Sequence, residues 1–290
     1  MTSKLNKNKL HCIWEFLTLA KFRKTKPLVK VLRLQGVIGK LGVGKNGMTL
    51  EGLNESIEKA FENTSIGAVC LIINSPGGSP VQSEFIAQRI IDLAKAKSIP
   101  VYSFVEDVAA SGGYWLACAG DEIYVSKSSI IGSIGVISAG FGLTEVIKKI
   151  GIERRVITQG INKSILDPFM PMKNSDVQII TELQKEAHTH FINYVKTRRK
   201  DRLKESDEKL FNGEFWSGNT AKDFGLVDGI DTLYNFLERK FGKDIRIEHI
   251  KAKESWFKKK LMASLKTEDI VDGLYSKLEN ELISSKFKLY

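Results

Sequence analysis

A serine stands at the head of a short predicted helix in the segment VEDVAASGGYWLACAG (105–120). If the helix begins just after Ser111, the backbone N–H of Gly112 and the positive end of the helix both face the serine hydroxyl. Such groups stabilise the oxyanion that develops when a hydroxyl attacks a carbonyl carbon. The pattern therefore indicates acyl transfer at Ser111. The competing interpretation is that Ser111 only caps the helix, which is the commoner role of a serine at a helix start.

A second glycine-rich turn, INSPGGSP (73–80), follows a predicted buried strand. Consecutive glycines let the backbone direct its N–H groups toward a ligand without obstruction from side chains. The turn can therefore form half of an oxyanion hole. SPGG is also an ordinary strand-to-helix turn, so the turn alone does not decide between the two interpretations.

A serine nucleophile needs a base, and histidine is the usual one. The four histidines fall in a terminal segment, a long predicted helix and a late strand, away from any turn pattern: His11, His188, His190 and His249. A Ser/His/Asp triad therefore has little support. Lysine can act instead when it is desolvated enough to be neutral. Lys163 lies in TQGINKSILDPF (158–169), a turn-like segment of low charge after a predicted strand, and is the candidate base.

The elements that must position these residues alternate between short β-branched runs and amphipathic stretches of helical length. This alternation predicts a layered α/β domain. The predicted strands are 29–38, 67–74, 100–106, 121–126, 132–140 and 153–160. The predicted helices are 52–63, 81–97, 111–120, 143–151 and 174–202.

The composition of the 290 residues is that of a packed globular protein, with 42% hydrophobic residues and a formal net charge of +10. The basic excess favours anionic partners such as lipid head groups, nucleic acids or acidic polypeptides. The three cysteines, Cys12, Cys70 and Cys118, are far apart in apolar contexts. We expect free buried thiols and no disulfide framework.

Basic segments flank the predicted central domain, residues 29–249. The apolar run LHCIWEFLTLAKF (10–22) contains Glu15 and is too short to span a membrane. Residues 1–28 are therefore predicted to form a basic amphipathic segment, which either lies on an anionic membrane surface or packs on the domain or a neighbouring subunit. Residues 250–290 are predicted to form a basic helical tail for interaction or oligomerisation.

Taken together and in order, the motifs resemble the signal peptide peptidase A family of S49 serine peptidases, which includes the SohB-like proteins. The resemblance runs from about Val31 to Asp231. It rests on five segments: NSPGG (74–78), ASGGYW (110–115), GSIGV (132–136), GINK (160–163) and FWSGNTAKDFGLVD (215–228).

The resemblance implies a ClpP/crotonase-like fold, a superhelix of β/α units, with helical N- and C-terminal extensions. It implies that Ser111 is the nucleophile of a Ser/Lys dyad and Lys163 its general base. The oxyanion donors would be the backbones of Gly78 and Gly112, and Ser133 would orient the lysine amine. The reaction would be peptide hydrolysis through an acyl-enzyme, without a metal or organic cofactor.

The resemblance also implies a homo-oligomer that encloses its active sites. The expected substrates are unfolded or membrane-derived polypeptides and cleaved signal peptides, and no nucleic-acid partner is expected. The sequence lacks the N-terminal membrane-spanning segment of the best-known family members. We therefore expect a cytoplasmic protein, with peripheral contact to the inner membrane as an extension of that expectation.

Two other functions fit parts of the sequence. A crotonase-type acyl-CoA enzyme shares the glycine-based oxyanion hole but would depend on carboxylates and not on Ser111. A non-catalytic membrane-associated scaffold would use the basic ends of the chain.

Overall fold

Eight strands form one mixed sheet in the computed structural model, which describes residues 26–40, 47–62 and 65–250. The strands are β1 (Leu28–Gln35), β2 (Ile66–Ser75), β3 (Val101–Ala110), β4 (Glu122–Val125), β5 (Ile130–Gly132), β6 (Phe215–Ser217), β7 (Gly229–Ile230) and β8 (Arg246–Ile250). The described helices are α1 (Leu50–Ala60), α2 (Pro80–Lys97), α3 (Gly112–Ala117), α4 (Thr144–Lys149), α5 (Asn174–Arg199), α6 (Asp207–Leu210), α7 (Gly218–Asp223) and α8 (Leu233–Phe241). A 3-10 turn, Lys200–Arg202, follows α5.

The strand order is β6-β5-β3-β2-β1-β8, and β4 pairs with β3 and β7. Every pairing is parallel except that of β5 with β6. Parallel strands need helical crossovers, and the helices between β1, β2 and β3 supply them. This architecture confirms the predicted α/β class built from β/α units. It also brings the carboxyl ends of β2 and β3, where the two glycine-rich motifs begin, to one edge of the sheet.

Apolar side chains cover both faces of the sheet, as expected for parallel strands. One face packs against α1, α2 and α3 in the larger core cluster, which includes Ile57, Ile86 and Tyr114. The opposite face packs against α8 through Leu233, Phe236 and Leu237. Central strand β2 is buried along most of its length, because its run of apolar residues faces both layers.

Two predicted strands are wrong. Within 132–140, the strand ends at Gly132, because Ser133 takes a positive φ of 52° and turns the chain out of the sheet. Residues 153–160 form no strand, since no neighbouring strand pairs with them and Ile157 is fully exposed. Their β-branched run, residues 156–158, has strand propensity but no sheet edge to join.

An arm, residues 136–187, extends from the sheet after β5 and returns through the first half of α5. Within the arm, the Leu143 N–H donates to the Pro168 carbonyl, and Arg154 pairs with Asp167 at 3.1 Å. The arm encloses a cavity of about 380 Å³. Ten of the fifteen large apolar side chains that are exposed in the described residues belong to the arm.

The predicted terminal segments 1–28 and 250–290 lie almost wholly outside the described residues. The few described residues of these segments include two that belong to the sheet. Strand β1 begins at Leu28 and β8 ends at Ile250, and residues 28–32 pair with residues 246–250. In the described ranges, no helix combines the length and the apolar character needed to cross a bilayer.

Candidate active site

Ser111 occupies a strained turn between β3 and α3. Its φ of 52° and ψ of −124° form a backbone conformation that side-chain-bearing residues rarely adopt, and such strain concentrates at functional sites. The residue stands at the N-cap position, yet its side chain makes no capping hydrogen bond. The interpretation of Ser111 as a simple helix cap is therefore wrong. The turn instead presents the half-buried hydroxyl to a cleft.

The cleft has a volume of about 620 Å³ and lies at the carboxyl ends of β2 and β3. Ser111, Gly78 and Ser133, three of the predicted site residues, line it together. Asn212 and His188 complete its wall. None of the described residues that line the cleft is Asp or Glu. The polar side chains of the cleft are therefore those of Ser111, Ser133, His188 and Asn212, without a carboxylate.

The glycines of the Ser-Pro-Gly-Gly turn approach Ser111 and Ile38 so closely that they leave no space for side chains. A Cβ atom on Gly77 would lie 2.8 Å from the Ser111 Cβ and 2.8 Å from the Ala110 carbonyl oxygen. Gly78 has a φ of +142°, and a Cβ there would lie 2.1 Å from the Ile38 carbonyl oxygen. Glycine is required at both positions because any larger residue would displace backbone atoms.

The two predicted oxyanion donors belong to adjoining backbones. A Cβ built on Gly112 would lie 3.4 Å from the Gly78 backbone nitrogen. Gly112 is the first residue of α3, so no carbonyl within the helix accepts its N–H. In the described part of the chain, the Gly78 N–H likewise donates to no backbone carbonyl. Both groups are thus available to a ligand oxygen beside Ser111.

Ser133 is held beside the nucleophile by the edge of the sheet. The Ser111 N–H donates to the Gly132 carbonyl at 2.8 Å, and the Ser133 N–H donates to the Glu214 carbonyl at 2.6 Å. The chain turns at Ser133, whose φ is positive, and this turn directs the residue into the cleft. The sequence motif GSIGV therefore forms one wall of the site.

Lys163 lies apart from this group. It sits in a turn of the arm, where its N–H donates to the Gly160 carbonyl at 3.1 Å. Its side chain is exposed, and it is not among the residues that line the cleft. The predicted strand before it is absent. The structure thus brings Ser111, Gly78, Gly112 and Ser133 together and leaves Lys163 on the exposed arm, so the dyad stays a prediction.

His188 is a cleft residue that the sequence analysis set aside. It projects from α5 into the cleft that contains Ser111, and its Nε2 lies 3.0 Å from the Ile134 carbonyl oxygen. A usable signal was present in the sequence. His188 precedes Phe191 and Val195 by three and seven residues, and this spacing places all three on one face of a helix. Phe191 and Val195 are buried, so the same face directs His188 inward.

A smaller apolar recess adjoins Ser111 between α3 and α5. Trp115, Phe191 and Val136 line it together with the glycines of the oxyanion turn. Trp115 stacks on Phe191 and on Tyr194, each at a centroid distance of 4.7 Å, which fixes the recess between two helices. Its volume is about 10 Å³, which is about the space of one water molecule, so the apolar wall beside Ser111 leaves little room for a large side chain.

A buried polar network supports α3 from below. The Tyr114 hydroxyl donates to the Leu226 carbonyl at 2.7 Å, and burial raises the pKa of Tyr114 well above its ordinary value. Arg199 is 1% exposed and donates to Asp228 at 2.7 Å and to the Gly225 carbonyl at 2.9 Å. The Tyr114 bond anchors α3, and the Arg199 bonds anchor the end of α5, to the region after α7.

Comparison with known proteins places this geometry in context. The model of peptidase family S49 matches residues 93–241, just over half of the chain. A Brucella melitensis protein named Na(+)/H(+) antiporter NhaA is 46% identical over 242 residues, covering 83% of this chain and 33% of that protein. The Arabidopsis thaliana protein named Serine protease SPPA, chloroplastic, is 30% identical over 210 residues, covering 71% of this chain and 31% of that protein.

Among solved structures, a membrane-bound stomatin-specific protease in complex with a substrate peptide aligns with a TM-score of 0.47 and 15% identity. The alignment covers 82% of this chain and 97% of that one. The chain spans about a third of the length of the two relatives compared above.

Proposed function

The chain belongs to peptidase family S49, and on that premise we propose that it is a serine endopeptidase with Ser111 as nucleophile and Lys163 as general base. The observation that carries the proposal is the position of Ser111. It stands in a strained turn, free of a capping bond, in a cleft that also holds the Gly78 backbone. A helix cap needs neither the strain nor the cleft.

The proposed mechanism is acyl transfer in two stages. Neutral Lys163 accepts the Ser111 proton while the serine oxygen attacks the peptide carbonyl carbon. The Gly78 and Gly112 N–H groups stabilise the oxyanion. The lysine then protonates the leaving amine as the C–N bond breaks, which leaves an acyl-enzyme. Water, deprotonated by the same lysine, hydrolyses the ester and restores Ser111.

The exposed position of Lys163 sets a condition on this mechanism. Its amine reaches Ser111 only if the arm bends toward the cleft of its own chain, or if the arm of a second copy covers that cleft. We propose the second route, within the homo-oligomer expected from the family. The concentration of exposed apolar side chains on the arm supports it, since burial of such side chains against a second copy would stabilise the assembly.

We propose that the substrates are unfolded or membrane-derived polypeptides, including cleaved signal peptides. An extended chain suits a cleft in which the Gly78 and Gly112 backbones adjoin Ser111. The apolar wall formed by Trp115, Phe191 and Val136 favours a small, uncharged side chain next to the cleaved bond. The absence of carboxylates among the described cleft residues disfavours a crotonase-type acyl-CoA enzyme.

We propose a cytoplasmic location with peripheral contact to an anionic membrane. The support is the basic character of the sequence before Lys26 and after Ile250. The match to the Brucella relative that is named an antiporter covers one third of that protein. The family model that matches this chain describes a peptidase.

Hydrolysis of casein and of fluorogenic apolar peptides tests the proposal. We expect Ser111→Ala and Lys163→Ala to lose nearly all activity while circular dichroism and assembly size stay unchanged. Lys149→Ala, an exposed lysine elsewhere on the arm, serves as the matched control and should retain full activity. Retained turnover in Lys163→Ala would assign the base elsewhere, and retained turnover in Ser111→Ala would exclude serine catalysis.

A mixing experiment separates the two routes for Lys163. Inactive Ser111→Ala and Lys163→Ala proteins are co-expressed or exchanged, and hydrolysis is measured in the mixture. If the amine comes from a second copy, mixed assemblies contain intact sites and activity returns. If the arm serves its own chain, no mixed site is complete and the mixture stays inactive.

A further inference from the structure

The arm leaves and rejoins the body of the protein at two neighbouring points. The outgoing chain passes through Ile134 and Gly135 directly after Ser133, and the returning helix α5 meets the body at His188. Between these points, residues 136–142 exchange no backbone hydrogen bond with another residue in the described part of the chain. The direction in which the arm leaves therefore depends on contacts at its base.

One side-chain hydrogen bond joins the two points. The His188 Nε2 lies 3.0 Å from the Ile134 carbonyl oxygen. A carbonyl oxygen only accepts, so Nε2 carries the hydrogen and donates. Ile134 is fully buried, which fixes its carbonyl, and His188 is half-buried against the cleft. This bond links the two ends of the arm at its base, and we call it the clasp.

The body of the protein holds the histidine end of this bond. Three residues beyond His188, Phe191 stacks on Trp115 of α3. The Tyr194 hydroxyl donates to the Trp115 carbonyl at 3.2 Å, and the Arg198 guanidinium donates to the Cys118 carbonyl at 2.7 Å. Helix α5 is therefore docked along α3, the helix that Ser111 heads, and the position of His188 is set from the nucleophile side.

The carbonyl end of the bond belongs to the wall that carries Ser133. Gly132 accepts the Ser111 N–H, Ser133 is bonded to Glu214, and Ile134 is bonded to His188. Three consecutive residues are thus fixed, each by a different part of the fold. Without the His188 bond, the Ile134 carbonyl loses its hydrogen-bond donor at the point where the arm that carries Lys163 begins.

We infer that His188 is a positioning residue of the active site, whose hydrogen bond to Ile134 fixes Ser133 beside Ser111 and sets the path of the arm that carries Lys163. The inference rests on the proposed function, because Ser133 and Lys163 take their roles from it. His188 acts through Ile134 and not as the base: its Nε2 is a donor here, and within the described ranges no carboxylate is bonded to its ring.

The catalytic test compares two substitutions of similar size. His188→Gln keeps an N–H donor at nearly the same reach, whereas His188→Leu removes the donor and keeps the volume. We expect the Leu variant to lose about tenfold or more in kcat with KM changed by less than about twofold, since a displaced catalytic group lowers turnover more than binding. The Gln variant should recover most of that loss.

The matched control is His190→Gln, which changes an exposed histidine two residues away on the same helix and should leave kcat unchanged. If circular dichroism shows that the Leu variant is unfolded, His188→Asn replaces it, because the shorter amide cannot reach Ile134. Wild-type kcat in the donor-free variant would overturn the inference. Equal inactivity of the Gln and Leu variants would overturn it as well, because it would indicate proton transfer by the imidazole.

Hydrogen exchange tests the clasp without relying on activity. The backbone amides of residues 130–137 should exchange faster in His188→Leu than in the wild type, and His188→Gln should resemble the wild type. Unchanged exchange in the Leu variant would overturn the inference even if the enzyme is active. If His188→Leu exchanges faster than the wild type but the wild type hydrolyses no peptide, the clasp is supported and the proposed function is rejected.

Discussion

The backbone N–H of Ser111 donates a 2.8 Å hydrogen bond to the carbonyl of Gly132, so the strained turn at Ser111 is tied to the residue immediately before Ser133. Both serines line the same cleft as a result. A displacement of Gly132 would therefore also move the backbone of Ser111. Substitution of the Ser133 side chain, which leaves this backbone bond in place, tests the hydroxyl separately.

Ser133→Ala should lower kcat by about tenfold or more, because the Lys163 amine loses the hydroxyl that is proposed to orient it. General acid–base catalysis contributes about 10²–10⁴-fold to such reactions, so a poorly oriented base is costly. Peptide hydrolysis by purified protein measures the effect. Ser128→Ala, at an exposed serine near β5, is the control and should behave as wild type. A Ser133→Ala enzyme with full kcat would remove Ser133 from the site.

Gly77→Ala tests the close approach of the glycine turn to the nucleophile. Gly77 and Gly36 share a φ of +103°, but only Gly77 has neighbours, the Ser111 Cβ and the Ala110 oxygen, within 2.8 Å of an added Cβ. Both alanine variants should lose about 1 kcal/mol or more of unfolding free energy through backbone strain. Gly77→Ala alone should also lose hydrolysis, since the clash displaces Ser111.

Urea unfolding and casein hydrolysis, measured on both variants, separate strain from displacement. The Gly36→Ala protein should stay active because its added methyl meets no atom within 4 Å. An active Gly77→Ala enzyme would contradict the tight packing between the two motifs. Equal loss of activity in both variants would assign the effect to general destabilisation.

The α/β class and most elements followed from the sequence because their signals are local. The helix predicted at 81–97 is α2, and the strand predicted at 67–74 is β2, each within a residue or two of its observed bounds. Free buried thiols were also expected, and Cys70 and Cys118 are both buried and unpaired, whereas Cys12 lies outside the described residues. In each case the apolar residues of the segment pack against a neighbouring layer of the fold.

The errors have one physical origin, which is that a strand needs a neighbour. Residues 153–160 have the composition of a strand but no paired edge, and the strand predicted to reach residue 140 ends where Ser133 turns away. His188 was set aside for a related reason. The helical spacing from Phe191 and Val195 indicates only that His188 faces inward. Its partner, Ile134, lies in a distant segment, and the spacing does not specify which segment faces α5.

Arg199→Met should destabilise the fold strongly. The substitution removes the buried guanidinium from the Gly225 carbonyl and from the Asp228 carboxylate, which keeps the Ile123 N–H, and breaking such a pair costs about 3–5 kcal/mol. Arg155→Ala, which removes an exposed pair with Glu153, should change the unfolding free energy by less than about 1 kcal/mol. Urea denaturation measures both, and a similar small loss in the two variants would contradict the structural role of the buried arginine.

The buried thiols should resist alkylation in the folded protein. Burial raises the pKa of Cys70 to about 12 and that of Cys118 to about 11, and only the thiolate reacts with iodoacetamide. In a Cys12→Ser background at about pH 8, we expect mass spectrometry to find almost no alkylation until guanidinium chloride exposes both thiols. Rapid alkylation of the native protein would contradict the burial of β2 and α3.

The same pKa shifts predict how the unfolding free energy depends on pH. Each thiol binds its proton more tightly in the folded state than in the unfolded state, where its pKa is about 8.5. The stabilisation is therefore fully present below about pH 8.5 and is lost as the pH rises toward the folded pKa values of about 11 and 12. Urea unfolding of Cys70→Ala across that range should show a shallower decline than the Cys12→Ser parent. An identical slope would mean that Cys70 ionises as readily in the folded chain as in the unfolded one.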